Sequence, residues 1–242
     1  MAPERTTSTW RRLKAWACRF SLPSDATPTQ VAEHALVLIK DLRRQDAFVR
    51  SGGWEDKSYH GHELRGRKLG LVGLGMIGRA LAGMAVPIGM TVEAYDPFAP
   101  AEAFGPDATR VTDLDALLAE SDVVSLHCPL TEQTRNLIGA RELARMKPTA
   151  FLINTARGGG CGRARAREGA RVRRDRRRRA RQLRARTAGS GQPLWKLPNI
   201  IVSPHIAGVT EEARREVSLQ TVRNVLAFLK NEGVHPRYFV RA

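Results

Sequence analysis

The stretch Lys68–Asp96, KLGLVGLGMIGRALAGMAVPIGMTVEAYD, decides how the rest of the chain is read. Leu69, Leu71, Val72 and Leu74 make a short apolar run of the kind that forms a buried parallel strand. Gly73, Gly75 and Gly78 follow in G-x-G-x-x-G spacing, and Ile77, Leu81, Met84 and Ile88 then recur at helical intervals. Thr91 to Tyr95 predicts a second strand, closed by Asp96. The three glycines serve different ends. Gly73 makes the tight turn, Gly75 lets the backbone approach a pyrophosphate, and Gly78 lets helix and strand pack closely. The helix start offers free N–H groups and a positive dipole end to phosphate. Asp96, about 20 residues on, is placed to accept hydrogen bonds from the hydroxyls of an adenine ribose. Glycine spacing alone is a weak signal. Strand, glycines, helix, strand and acid in that order carry the reading of a dinucleotide site.

On either side the same alternation continues. Thr27 predicts a helix start, with Pro28 at the first helical position and Gln30 able to complete a capping box. Val31, Ala35, Leu38 and Leu42 would line its inner face, widened by Leu36 and Ile39. Ser51 to Gly66 reads as a polar connector. Past Asp96, Thr112 is placed to cap a short helix with Leu114, Leu117 and Leu118, and Asp122 to Leu126 reads as a strand ending at Cys128-Pro129. A helix near Arg141 to Met146 leads to the run Ala150 to Ile153 and then to Thr155-Ala156-Arg157. Ile200 to Val202 predicts another strand before His205, and a last helix starts near Thr210 with Val222, Val225, Leu226 and Leu229 as its core stripe. Strands alternating with helices predict an α/β fold, a Rossmann-like doubly wound parallel sheet, with ligands at the strands' C-terminal ends.

Bulk properties narrow the class. The 242 residues suffice for one large or two small domains. Cys18, Cys128 and Cys161 are too scattered for a disulfide framework or a metal site, which fits a reducing, cytoplasmic setting. No apolar run reaches membrane-spanning length, so no membrane is expected. A net charge of +16 would ordinarily suggest nucleic acid, yet thirteen arginines between Gly160 and Gly191 stand against only Glu168 and Asp175. That stretch therefore holds +11 of the charge and leaves +5 for the rest, so no specific nucleic-acid surface is expected.

VAEHAL at 31–36, GLVGLGMIGRALA at 70–82, Asp96-Pro97, CPLT at 128–131, INTARGG at 153–159 and LPNIIVSPHIAG at 197–208 together resemble the D-isomer-specific 2-hydroxyacid dehydrogenases, nearest their phosphoglycerate and hydroxypyruvate/glyoxylate reductase branches. The resemblance implies NAD as cofactor, hydride transfer with a small 2-hydroxy/2-oxo acid, and a homodimer. Arg157 matches the family's substrate-binding arginine, whose planar fork suits a carboxylate. His205 matches the acid/base that exchanges the hydroxyl proton. The cofactor contacts it implies are Gly73, Gly75, Met76, Ile77, Gly78, Asp96, Cys128, Pro129, Thr134, Thr155, Ala156, Arg157, His205 and Gly208. Taken singly, an arginine is usually solvated, a histidine before Ile-Ala-Gly usually just packs, and Cys128 suits an apolar filler better than a nucleophile. The resemblance divides the chain into a remnant of a truncated substrate domain or an irregular N-terminus at 1–26, an NAD-binding domain at 27–209 and a helix at 210–242 returning toward the substrate domain.

Two departures stand against it. Only 26 residues precede Thr27, where the family carries much of its substrate domain. Residues 160–192 read GCGRARAREGARVRRDRRRRARQLRARTAGSGQ, without the glutamate-proline that the family places between its arginine and histidine to hold the imidazole. If the arginines are CGN codons, dropping one nucleotide at Gly160 lets Gly160 to Arg163 read Val-Val-Asp-Glu, and Ala180 to Ala188 read Leu-Asp-(Asn/Ser)-Phe-Glu-x-Glu-Pro-Leu. That series matches the family, so two compensating frameshifts near Gly160 and Gln192 are inferred. As written, the segment is expected to be disordered or an exposed, charged helix, and the chain's activity to be impaired. Two other readings stay open: a non-catalytic NAD-binding or dimerisation fragment, and an arginine-rich nucleic-acid arm.

Overall fold

The computed structural model describes residues 27–39, 42–54, 61, 63–156, 201, 203, 206–230 and 232. Contacts divide the chain into two compact units, 29–207 and a second made of 1–28 with 208–242.

The larger unit is built on a five-stranded parallel sheet. Its strands are β1 (Lys68–Val72), β2 (Thr91–Tyr95), β3 (Thr109–Arg110), β4 (Val123–Leu126) and β5 (Phe151–Asn154). The order across the sheet is β3-β2-β1-β4-β5, and every pairing is parallel. The chain therefore winds outward from β1 through β2 and β3, then returns to the other side of β1 with β4 and β5. The reversal lies between β1 and β4, where a doubly wound sheet opens a crevice beyond its strand ends.

Helices cover both faces, which is why β1 and β4 are buried on successive residues rather than alternating ones. On one face α1 (Pro28–Ile39) and α3 (Met76–Ala85) meet the sheet, and Ala32, Ala35, Leu38, Leu81 and Ala85 pack with Leu69, Leu71, Val92, Val123 and Ile153. On the other, α4 (Leu114–Glu120) and α5 (Ala140–Arg145) bring Leu117, Leu118 and Leu143 against Val72, Val124, Leu126 and Leu152. Along the chain between α1 and β1 comes α2 (Leu42–Arg50), a helix the sequence pattern does not anticipate. Leu42 opens this second helix instead of extending the first.

The other end of the sheet is held by charge. Lys68 Nζ bridges Glu93 at 2.7 Å and Glu120 at 2.6 Å, joining β1, β2 and the end of α4. Asp122 accepts from the Lys68 backbone N–H at 2.9 Å and from Lys147 Nζ at 3.1 Å. Burial pushes the Asp122 carboxyl upward, but the Lys68 N–H and the Lys147 ammonium outweigh it and hold its pKa below the ordinary value.

Three local expectations are corrected. Asp113, not Thr112, caps α4: its carboxylate accepts from the Asp115 N–H at 2.9 Å. Ile88 lies beyond α3 and is 40% exposed. In the smaller unit, α6 (Glu211–Leu229) starts at the expected cap, with Thr210 Oγ1 accepting from Ala213 N–H at 3.1 Å. Its stripe is not core, since Val222, Leu226 and Leu229 are exposed and only Ala213 and Asn224 are buried. Among the described residues, no helix is long and apolar enough to cross a membrane.

Candidate functional site

The turn from β1 into α3 is shaped by three different steric demands. Gly73 has φ +93°, and a Cβ there would lie 2.7 Å from the backbone N of Cys128, at the end of the neighbouring strand. Only glycine adopts that φ freely and lets β1 and β4 close together at the reversal point. A Cβ on Gly78 would meet the Gly73 carbonyl oxygen at 2.5 Å, so its absence sets the depth at which α3 docks. Gly75 is exposed and has nothing within 4 Å of a Cβ position, so the fold itself would admit a side chain there. Its bareness leaves open space directly over the start of α3, which Gly75 caps with no side-chain hydrogen bond. Backbone N–H groups of Met76 and Ile77 thus begin a helix facing open space, an arrangement suited to an anion.

Asp96 closes this turn from the end of β2. Its Oδ2 accepts from the Leu74 N–H at 2.8 Å, and its Oδ1 accepts from Phe98 N–H at 3.0 Å and Ala99 N–H at 3.1 Å. A carboxylate has about four acceptor positions, so three backbone donors leave room for a ribose hydroxyl. Arg79 braces the same turn, its Nη1 donating to the Leu74 carbonyl at 3.0 Å. The glycine loop and the acid are one hydrogen-bonded unit, and its open face and donors fit a dinucleotide's phosphates and ribose.

The far wall comes from β4 and β5. Cys128 is a free thiol of intermediate exposure, raised in pKa first by burial and further by the charge of Asp96, so it stays protonated. Pro129 begins a loop locked by Thr134, whose hydroxyl donates to the Pro129 carbonyl and accepts from the Thr131 N–H at 2.7 Å. Thr134 therefore shapes that wall through its own loop. At the end of β5 the buried Asn154 accepts the Ala156 N–H at 3.0 Å, and the Thr155 hydroxyl lies 3.2 Å from His127 Nδ1.

Gly73, Gly75, Met76, Ile77, Gly78, Asp96, Cys128, Pro129, Thr134, Thr155 and Ala156 thus fall around the strand ends of the larger unit. Gly208 belongs to the smaller unit, against Thr27, where a Cβ would come within 3.1 Å. Arg157, His205 and the segment 160–192 lie outside the described residues. Sequence reasoning missed His127 and Asn154. Asn154 is a buried amide in an apolar strand, the one sequence signal that could have marked it.

Residues 32–207 match the family described as D-isomer specific 2-hydroxyacid dehydrogenase, NAD binding domain. A glyoxylate reductase of Thermococcus litoralis is 36% identical over 228 residues, which cover 86% of this chain and 65% of that protein. An (S)-sulfolactate dehydrogenase of Chromohalobacter salexigens is 41% identical over 219 residues, covering 86% of this chain and 71% of that one. In structure, a D-lactate dehydrogenase with NAD+ from Lactobacillus jensenii superposes with a TM-score of 0.76 at 29% identity, covering 92% of this chain and 71% of the other. The chain thus spans about two thirds of the length of these proteins.

Proposed function

The chain belongs to the D-isomer specific 2-hydroxyacid dehydrogenase family, carrying its NAD-binding domain, and on that premise we propose that it binds NAD(H) for hydride transfer with a small 2-hydroxy/2-oxo acid. The observation that carries this is the Gly73-Gly75-Gly78 turn at the sheet's reversal point, tied by Asp96 to the end of β2. Bound NAD(H) supplies the hydride acceptor or donor. The chain's own residues do the rest. The start of α3 and the open space at Gly75 receive the pyrophosphate, and Asp96 accepts from the ribose. Asp96 repels a 2′-phosphate and Pro97-Phe98 after it supplies no cation to accept one, so NAD(H) is preferred to NADP(H).

Arg157 is assigned to the substrate carboxylate and His205 to the hydroxyl proton, both by match to the family's motifs. Between them the sequence holds Glu168 as its sole glutamate and no glutamate-proline, so the acid that the family motif sets against the histidine is missing from its place in the sequence. Losing such an orienting acid costs on the order of 10⁴-fold in the serine-protease example. We therefore read the cofactor half of the reaction as intact and the proton-transfer half as impaired. A homodimer in a cytoplasmic setting belongs to the same reading, resting on the resemblance and on the scattered cysteines.

The test pairs this chain with a version whose frame is corrected across Gly160 to Gln192. NADH binding is followed by fluorescence, and NADH oxidation is assayed with glyoxylate, hydroxypyruvate and phosphohydroxypyruvate. NADH binding by both, with turnover much faster in the corrected chain, is expected. Equal turnover would remove the role given to the missing glutamate. NADH binding without turnover in either would favour a non-catalytic NAD-binding chain.

A further inference from the structure

Among the described residues, β4 and the position after it carry two buried polar atoms without a hydrogen-bond partner, Ser125 Oγ and His127 Nε2. His127 follows β4 directly, and the register that pairs Leu126 with Asn154 sets it beside Thr155 after β5. Its Nδ1 lies 3.2 Å from Thr155 Oγ1. As a residue His127 is half-buried, yet its Nε2 is sealed from solvent. Burial pushes the imidazole pKa down to about 4, so near neutral pH the ring holds a single N–H. A hydrogen on Nε2 would strand a buried donor, whereas a hydrogen on Nδ1 leaves only a lone pair without a partner. Orphaned buried N–H groups are the rarer defect, so the Nδ1–H tautomer is assigned from these partners. Nδ1–H then donates to Thr155 Oγ1.

We propose that His127 is a positioning residue for Thr155. It fixes the threonine hydroxyl as an acceptor on its inner side and leaves the hydroxyl hydrogen free to donate outward. The receiving group is an acceptor oxygen of a ligand above the ends of β4 and β5, either a carboxylate of a 2-oxo acid or the carboxamide of the cofactor. Thr155 is half-buried, as an inward-held hydroxyl with an outer face requires. The nature of the ligand rests on the function proposed above; the His127–Thr155 geometry does not.

The test uses the whole chain with ¹⁵N-labelled histidine. Long-range ¹H–¹⁵N correlations report the tautomer, with His127 identified by the signal lost in His127→Gln. A neutral Nδ1–H ring at pH 5.5 is expected, and its preference for Nδ1–H is expected to be lost in Thr155→Val. An Nε2–H tautomer, or a protonated ring at pH 5.5, overturns the proposal. A second arm titrates NADH, then oxamate into the NADH-loaded chain, for His127→Phe, Thr155→Val and the double variant. Each single change is expected to weaken one of the two ligands about tenfold, with the double no worse than either. Loss confined to oxamate assigns the acceptor to the carboxylate, and loss in NADH assigns it to the carboxamide. Additive losses, or none, overturn the proposal. If the unaltered chain binds NADH but no oxamate, the substrate reading fails and the tautomer decides the His127 proposal by itself.

Discussion

Replacing Gly75 and Gly78 by alanine, one at a time, should separate cofactor binding from folding. At Gly75 the backbone is extended, with φ −71° and ψ −165°, and nothing lies within 4 Å of the added methyl. Alanine is a poorer cap than glycine, so Gly75→Ala should cost no more than about 1 kcal/mol of stability. The methyl nevertheless occupies the space assigned to the pyrophosphate. Losing a hydrogen bond to a charged group is worth about 1.5–3 kcal/mol, or roughly 10- to 150-fold in Kd for NADH. Gly78→Ala is a different perturbation. Its Cβ would lie 2.5 Å from the Gly73 oxygen, so α3 must back away from β1 by several tenths of an ångström. Overpacking of that kind costs about 1–3 kcal/mol, and the displaced helix start should lose NADH affinity as well. Urea unfolding and NADH fluorescence titration on the same samples measure both quantities. If Gly75→Ala bound NADH as tightly as the unaltered chain, the phosphates would not approach Gly75 and the site as assigned would be wrong.

Further outcomes are expected in the site and elsewhere in the fold. Asp96→Ser should weaken NADH binding and narrow its preference over NADPH, and an unaltered chain preferring NADPH in the same titration would refute the role of Asp96. The His127 pKa is lowered from 6.5 to about 4, so the unfolded chain takes a proton that the folded chain refuses. Stability should therefore fall as pH drops from about 6.5 to 4, by about 3 kcal/mol in full, and urea midpoints of His127→Gln should lack that component. Asp122 is depressed, so its contribution is present above its unfolded value near 4 and lost as pH falls through the lower folded one; Asp122→Asn should flatten the acid limb of the same profile. Sedimentation at micromolar concentration should show a dimer, and a monomer would remove that part of the function reading.

The heart of the fold was legible because its strands are buried on both faces. Leu69, Leu71 and Val72 must then all be apolar, and such a run is visible without tertiary knowledge. Gly73 and Gly78 were legible because close backbone contact constrains residue type there, and Gly75 because an open approach to a phosphate does. What escaped depends on partners distant in sequence. The segment LRRQDAFVR of α2 has as many charged residues as apolar ones and is too short for a repeating apolar stripe to announce a helix. The α6 stripe carries the periodicity of a core helix, yet periodicity reports only that one face is apolar, and here that face is exposed. His127 was overlooked beside the more conspicuous Cys128-Pro129, because its burial and its bond to Thr155 arise only when β4 and β5 pair.

The place of β1 in the middle of the sheet has a consequence for synthesis. Among the described strands β1 is made first and pairs with both β2 and β4, but Val123 follows Val72 by about fifty residues. At about 5–20 residues per second, roughly 3–10 s pass between the emergence of these two strands from the ribosome. Through that interval Leu69 to Val72 can pair on one side only, leaving an apolar strand edge open to other nascent chains. This window, and not the finished fold, is where a holdase chaperone would have most to protect.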